Sequence, residues 1–423
     1  MFERTTRLVW AAAGLLAGAF PLLADAAEST SAGEIQALRQ SQERMAQQLE
    51  ALSARVAQLE HANTELAATN EKLAAATPPA NAPARSSGPE RFKWNADFRL
   101  RHERTEVEGV ASRDRDRLQS HFGFEAALTD DVAVGLQLAT GGEDPRSANQ
   151  TFTGAFSRKP IDLDLAFLRW SPAEGVAITG GKMKYPVWKP ASSKLYDSDV
   201  NPEGLALAFS RGKVFANVYG FAVEERAATA DTTLYGAQAG TKLSFGDAGA
   251  LTVALSFSDL GAGAGRQPFF ALASNGNTLN PDGTLAFDFS VTHASLEYAG
   301  SLKSLPFAAF AEGARNSDAP DGLDTAYAFG FLFGKASAPR SWEFGWLYQR
   351  VEKDAWFGPL TDSDFGAGLT DSEGSVFRFS YAPIANGTFT TTYYMNDLLM
   401  SNPVSPDASD EHRKLQVDFT MKF

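Results

Sequence analysis

The chain contains no cysteine and only five histidines. The first absence removes disulfide scaffolds, thiol catalysis and cysteine-based zinc sites together. Positive charge is also short: 38 Lys and Arg stand against 51 Asp and Glu, a formal net charge of −13. A general nucleic-acid binder needs a basic face, so that class is disfavoured. Long apolar runs are missing beyond the N-terminus, which excludes a bundle of membrane helices, each of which needs about 20 apolar residues. Aromatic residues, by contrast, are abundant. The 31 Phe, 10 Tyr and 7 Trp among 423 residues are too much apolar surface for a disordered chain. That length suggests two or three domains, a soft expectation that barrels exceed.

Residues 1–26 read as an export signal. Arg4 and Arg7 precede an apolar run from Leu8 to Phe20, Pro21 bends the chain, and Ala24-Asp25-Ala26 is a small-x-small cleavage site. The run is short for a membrane anchor, and no stop-transfer cluster follows it. The mature protein is therefore expected beyond the inner membrane of a bacterium. Residues 27–76 read as a periplasmic coiled coil for oligomerisation. Positions a are Ile35, Gln42, Leu49, Val56, Asn63 and Asn70, and positions d are Leu38, Met45, Leu52, Leu59, Leu66 and Leu73. Every d position is apolar, and the 3.5-residue period argues against a lone surface helix. The helix would extend about 58 Å at 1.5 Å per residue. Asn at a leans toward a dimer, although the a/d mixture leaves strand number open. Residues 77–90, beginning Thr77-Pro78-Pro79, read as a stiff Pro-rich linker.

Residues 91–423 alternate. Phe92, Trp94, Ala96, Phe98 and Leu100 interleave with Lys93, Asn95, Asp97, Arg99 and Arg101. At the other end Leu415, Val417, Phe419, Met421 and Phe423 interleave with polar residues. Successive side chains in a strand face opposite ways, so each run has one oily and one wet face. About sixteen such runs are expected, with the pattern breaking at His293. Odd connections read as long (141–160, 185–202, 260–284, 353–373) and even ones as short (129–131, 171–175, 210–213, 246–249). That two-sided rhythm predicts an all-β transmembrane barrel of about 16 antiparallel strands, and a soluble sandwich would not show it. Trp94, Trp342, Tyr381 and Phe423 fall at the short-turn ends, while Tyr235, Tyr327, Tyr348 and Tyr393 fall at the long-loop ends. Such aromatic girdles mark the two headgroup levels. Trp170 has the right height but the wrong parity.

Two loop stretches carry a resemblance. Lys182-Met183-Lys184-Tyr185-Pro186-Val187-Trp188 with Asp197-Ser198-Asp199-Val200-Asn201-Pro202-Glu203-Gly204, and Val351-Glu352-Lys353-Asp354-Ala355 with Thr361-Asp362-Ser363-Asp364-Phe365-Gly366, resemble a family of outer-membrane porins of Gram-negative bacteria. Asp97-Phe98-Arg99-Leu100-Arg101 and Leu415-Gln416-Val417-Asp418-Phe419 match it as well. The resemblance implies an outer-membrane channel of unassigned substrate, often with a coiled coil ahead of the barrel. It implies trimeric assembly, which overrides the dimer leaning, through the coiled coil and the barrel sides. C-terminal Phe423 is the expected assembly signal for the barrel-assembly machinery.

Such a barrel is wide enough for an aqueous channel, and charged lining residues would set its selectivity. Parity makes Lys93, Asp97, Arg99, Arg101, Arg115, Arg117, His121, Glu125, Asp162 and Asp164 the candidate pore-lining residues. The arginines could form a positive wall, or could pair with neighbouring acids and merely hold the barrel together. The loop 185–202, with Lys189, Lys194, Asp197 and Asp199, is the candidate constriction, and the Asp-rich loop 353–373 is an equal alternative. The function expected is passive diffusion of small hydrophilic solutes or ions, without cofactor, metal or catalysis. Lipid, lipopolysaccharide and, through the coiled coil, peptidoglycan are the expected partners, with no nucleic acid. One rival is an envelope tether that reaches the cell wall. The other is a barrel-embedded hydrolase, which no G-x-S-x-G motif or placed Ser–His pair supports.

Overall fold

The computed structural model describes residues 91–269, 274–398 and 410–423, together with Ala54, Arg55 and Gln58, which are helical. The signal sequence, nearly all of the coiled coil and the linker lie outside the described residues. From Phe92 onward the alternation becomes strands β1 (Phe92–Val107), β2 (Arg113–Ala127), β3 (Val132–Thr140), β4 (Ile161–Ala173), β5 (Val176–Lys182), β6 (Glu203–Arg211), β7 (Val214–Glu224) and β8 (Thr232–Ser244). They continue as β9 (Ala250–Gly261), β10 (Phe289–Leu302), β11 (Leu305–Asn316), β12 (Thr325–Gly334), β13 (Trp342–Val351), β14 (Ser372–Ile384), β15 (Gly387–Leu398) and β16 (Asp410–Lys422). Each strand pairs antiparallel with its sequence neighbours, and β1 pairs with β16 from Asp97↔Lys422 to Val107↔His412. The sheet is therefore closed, and no row of unpaired backbone groups is left facing lipid.

The connections are less regular than the sequence rhythm suggests. Long loops do leave one end, but 108–112, 225–231 and 317–324 on that side are short, and 335–341 on the turn side is not minimal. Four long loops matter below: L2 (141–160), L3 (183–202), L5 (262–288) and L7 (352–371). β3 stops opposite His121, and the two residues Gln150–Thr151 of L2 take its place against β2.

Two expectations of parity are corrected. A bulge in β4 leaves Gln137 opposite Leu165 while Leu138 faces Leu163. The extra residue puts Asp162, Asp164 and Leu165 all inside and rephases the strand. Trp170 thereby stands on the outer face, 44% exposed, with its indole N–H on Asp131 at 3.1 Å. At His293 there is no break: β10 pairs without a register shift on both sides. Phe289, Val291, His293 and Ser295 all point inward and are buried. The apparent break arises because two inward residues are apolar, and their partners are loops rather than water.

Candidate functional site

Elsewhere the outer face is oily, as with Phe98, Leu100, Phe122, Leu205, Phe257, Phe329, Phe379 and Phe389, all exposed. The inner face carries buried polar groups such as Arg101, Glu103, Gln119, Gln238, Glu312, Gln416 and Asp418. In water this arrangement would be costly, since it exposes the apolar surface; in lipid it is the stable one.

The lumen has two unlike sides. Around β6–β13 the loop ends of the strands present Tyr219, Phe221, Leu234, Leu260, Phe289, Val291, Ala314, Ala326 and Val351 inward. L3 contributes Met183, Leu195, Tyr196 and Val200 to the same cluster, L5 contributes Phe269 and Leu285, and L7 contributes Ala355, Trp356 and Phe357. Phe357 sits 5.5 Å from the Phe269 ring and 5.3 Å from Phe289, and Tyr185 stacks on Tyr196 at 4.1 Å. Each fully buried Phe stabilises by about 1.5–3 kcal/mol. L5 and L7 also lock by polar contacts. The Asn277 amide donates to the carbonyls of Lys353 and Trp356 at 2.8 and 2.9 Å and accepts from Gly358 N–H at 2.7 Å. Asp354 accepts from Thr278 N–H and Oγ1 at 2.9 and 2.6 Å. The backbones approach so closely that a Cβ on Gly358 would lie 2.6 Å from the Asn275 oxygen. Gly276, at φ +98°, would clash with Thr370 in the same way.

The other side, formed by β14–β16 and β1–β4, is charged. Arg101 grips Asp418 through Nε and Nη2 at 2.7 and 2.9 Å and reaches Asp364 of L7 at 3.2 Å. Arg115 and Arg117 share Glu103, which is 0% exposed. His121 contacts Asp97 at 3.0 Å. Asp164 accepts from Gln137 and Asn201, both at 2.6 Å, and Arg169 pairs with Glu125. Lys93 stands opposite Glu125 in the β1–β2 ladder, and Asp162 lines a cavity of about 170 Å³ with His121, Lys184 and Asp199. Arg99 has amide partners only, Gln119 and Asn149.

L3 and L7 both fold inward and meet. Asp197 N–H donates to the Leu360 carbonyl at 2.9 Å, and its carboxylate accepts from Ser363 N–H at 2.8 Å and Asp199 N–H at 2.9 Å. Lys194 pairs with Asp362 at 2.7 Å. Lys189 is tied within L3, donating to the Tyr196 carbonyl at 2.6 Å and Ser198 Oγ at 3.0 Å. Burial, with the nearby charges of Asp362 and Asp199, pushes the Asp197 carboxyl up to about 7. Burial also raises Asp199, against the opposing pull of Arg99, Lys184 and His121. Burial works against charge on Lys194, but Asp362 outweighs it and raises that ammonium. Burial alone would raise Asp364 too, yet Lys414, Arg101 and Lys194 together hold it well below the usual carboxylate range.

A cavity of about 350 Å³ remains between these loops and the charged wall, lined by Arg99, Arg101, Asp199, Asp364, Arg378 and Thr392 among others. Asp199 lines both this cavity and the smaller one. Among the described residues, Arg99 and Asp199 belong to no ion pair. No histidine there hydrogen-bonds a serine or threonine hydroxyl, and no group of three His, Asp or Glu side chains converges to hold a metal. Sequence reasoning missed Glu103, Asp364, Lys414 and Asp418. Parity alone would have placed Glu103, Lys414 and Asp418 on the inner face; Asp364 required the path of L7.

A closed sixteen-stranded barrel with an oily exterior and a charged, loop-narrowed lumen defines an outer-membrane channel. The family described as "Putative porin" matches residues 101–284 and 265–423, and the chain belongs to that family. Among solved structures, OprB of Pseudomonas putida is similar at 12% identity, with 79% of this chain and 94% of that one covered and a TM-score of 0.55. OmpT of Vibrio cholerae in its trimer form follows at 12% identity, 78% and 99% coverage and a TM-score of 0.47. A Rhodopseudomonas blastica porin variant is 11% identical, with 78% and 100% covered and a TM-score of 0.45. No curated protein sequence matches. Family and fold together make the chain a passive diffusion channel of the outer membrane.

Proposed function

We propose that solutes pass along the charged side of the lumen and that Asp199 on L3 and Arg99 on β1 set its narrowest electrostatic step. The observation that carries this reading is that these two opposite charges line one cavity without an ion pair to quench either. Ion-paired groups are nearly neutral at a distance, so the field felt by a passing ion comes mainly from the unpaired ones. Lys93, Asp97, Arg101, Arg115, Arg117, His121, Glu125, Asp162 and Asp164 line the path and hold the wall. Asp197, Lys194 and Lys189 hold L3 in place, and Asp197 and Lys194 also line that cavity. The solutes are small, hydrophilic and ionic, and no chemical step occurs. The mature chain acts as a trimer with its coiled coil in the periplasm, lipid and lipopolysaccharide around the barrel, and Phe423 read by the assembly machinery.

Reversal potentials of purified protein in planar bilayers under asymmetric KCl test the path. Asp199→Asn is expected to raise the anion-to-cation permeability ratio several-fold, and Arg99→Gln to lower it. If both variants keep the wild-type ratio, L3 is not the filter.

A further inference from the structure

Two cations and an amide converge on a carboxylate that the chain itself supplies. Asp364 reaches from L7 to the far wall, where its Oδ1 accepts from Lys414 Nζ at 3.1 Å and Gln416 Nε2 at 2.8 Å, and its Oδ2 accepts from Arg101 at 3.2 Å. The Lys194 and Lys414 ammoniums lie 5.7 and 6.0 Å from the Tyr394 ring centre, gathered around the same spot. Asp418 already answers Arg101, and Asp362 already answers Lys194. Lys414 has Asp364 alone among the described ion pairs. Withdrawing Asp364 therefore leaves one positive charge unanswered in a buried place, a costly state that an anion relieves. The wall donors stand on β1 and β16, fixed by a continuous ladder, so the pocket persists when the loop moves. Its donors are disposed about the two oxygens of a planar carboxylate. The cavity of about 350 Å³ opens directly onto it.

We infer that Arg101, Lys414 and Gln416 form a receptor pocket for a carboxylate solute, that Asp364 is its tethered occupant, and that small organic carboxylates exchange with Asp364 as they pass. This rests on the channel reading above. It makes Asp364 a built-in competitor: the pocket is screened until a solute carboxylate takes the place of the loop.

Succinate titrated against the KCl current in planar bilayers tests this. Asp364→Asn is expected to bring half-block by succinate to a concentration at least tenfold below that for wild type. Lys414→Met in the same chain should remove that gain. Gln416→Lys leaves Asp364 in place but adds a cation beside it, so one positive charge again exceeds the acids present, and the pore is expected to be sensitised in the same direction. If neither Asp364→Asn nor Gln416→Lys increases succinate block, Asp364 is only a structural latch and the inference fails. A gain that survives Lys414→Met puts the anion elsewhere and overturns it as well. Wild-type protein that forms no conducting pores would sink the channel reading and this inference with it, whereas conducting pores without succinate sensitisation sink this inference alone.

Discussion

The two sides of the lumen obey the same strand parity and carry opposite chemistry. Around β6–β13 the inward residues at the loop ends are Phe289, Val291, Leu260 and Tyr219, sealed under Trp356 and Phe357. Across from them the inward residues are Arg101, Glu103, Gln416 and Asp418. The difference shows that an inward residue in a barrel is not always a wet one. Where loops return apolar side chains, the strand ends serve as the floor of a small hydrophobic core; where L7 returns Asp364, the strands answer with paired charge beside the open cavity.

The largest expected effect lies in the sealed half. Phe357→Ala should cost about 3–5 kcal/mol through the cavity left between Phe269 and Phe289. It should release L7, seen as a lower temperature for loss of the folded band on gels and as a larger, noisier unit conductance. Unaltered stability and conductance together would mean that this half is not a lock. Asn277→Ala should follow, at about 1–3 kcal/mol, because the carbonyls of Lys353 and Trp356 lose their donor in a buried place. Its signature is the same release of L7 without loss of apolar surface.

In the charged half the effects are on selectivity. Asp199→Asn and Arg99→Gln should move the permeability ratio in opposite directions with little change in melting, and a shift of stability instead would erase the contrast between the halves. The smallest effect is that of pH. Asp197 titrates at about 7 in the folded loop, so the anion-to-cation permeability ratio should rise modestly as pH falls from 8 to 6, and the rise should vanish in Asp197→Asn. The sign for stability follows the same shift. The folded Asp197 binds its proton more tightly than the unfolded chain does, so its contribution is fullest below pH 4 and fades as pH climbs to about 7. Asp364, held low by its cations, does the reverse and loses its contribution only in acid. Unfolding midpoints of Asp197→Asn and Asp364→Asn, measured from pH 4 to 8, separate the two.

Much of this was legible from residue order. The alternation at Phe92–Arg101 and at Leu415–Phe423 fixes both closing strands, and the oily faces point outward as their parity demands. Trp170 and His293 mark where such reading stops. A bulge cannot be seen in a list of residues, since one extra residue such as Asp164 looks like any other until its partner strand is known. Phe289 and Val291 look like a parity error until Phe357 is seen resting on them. The pairing of the arginines was likewise open, because Arg101 and Asp418 are 317 positions apart and only closure of the barrel makes them neighbours.

Pattern and composition by themselves determined the barrel, its approximate strand number and, for most strands, which face meets lipid, because a period of two and an apolar band are local properties of each strand. The packing of L3 against L7, the sealing of half the lumen and the capture of Asp364 by the opposite wall were decided only by the folded chain. Those contacts join segments far apart in sequence, and their energy depends on shape and burial that no single stretch encodes.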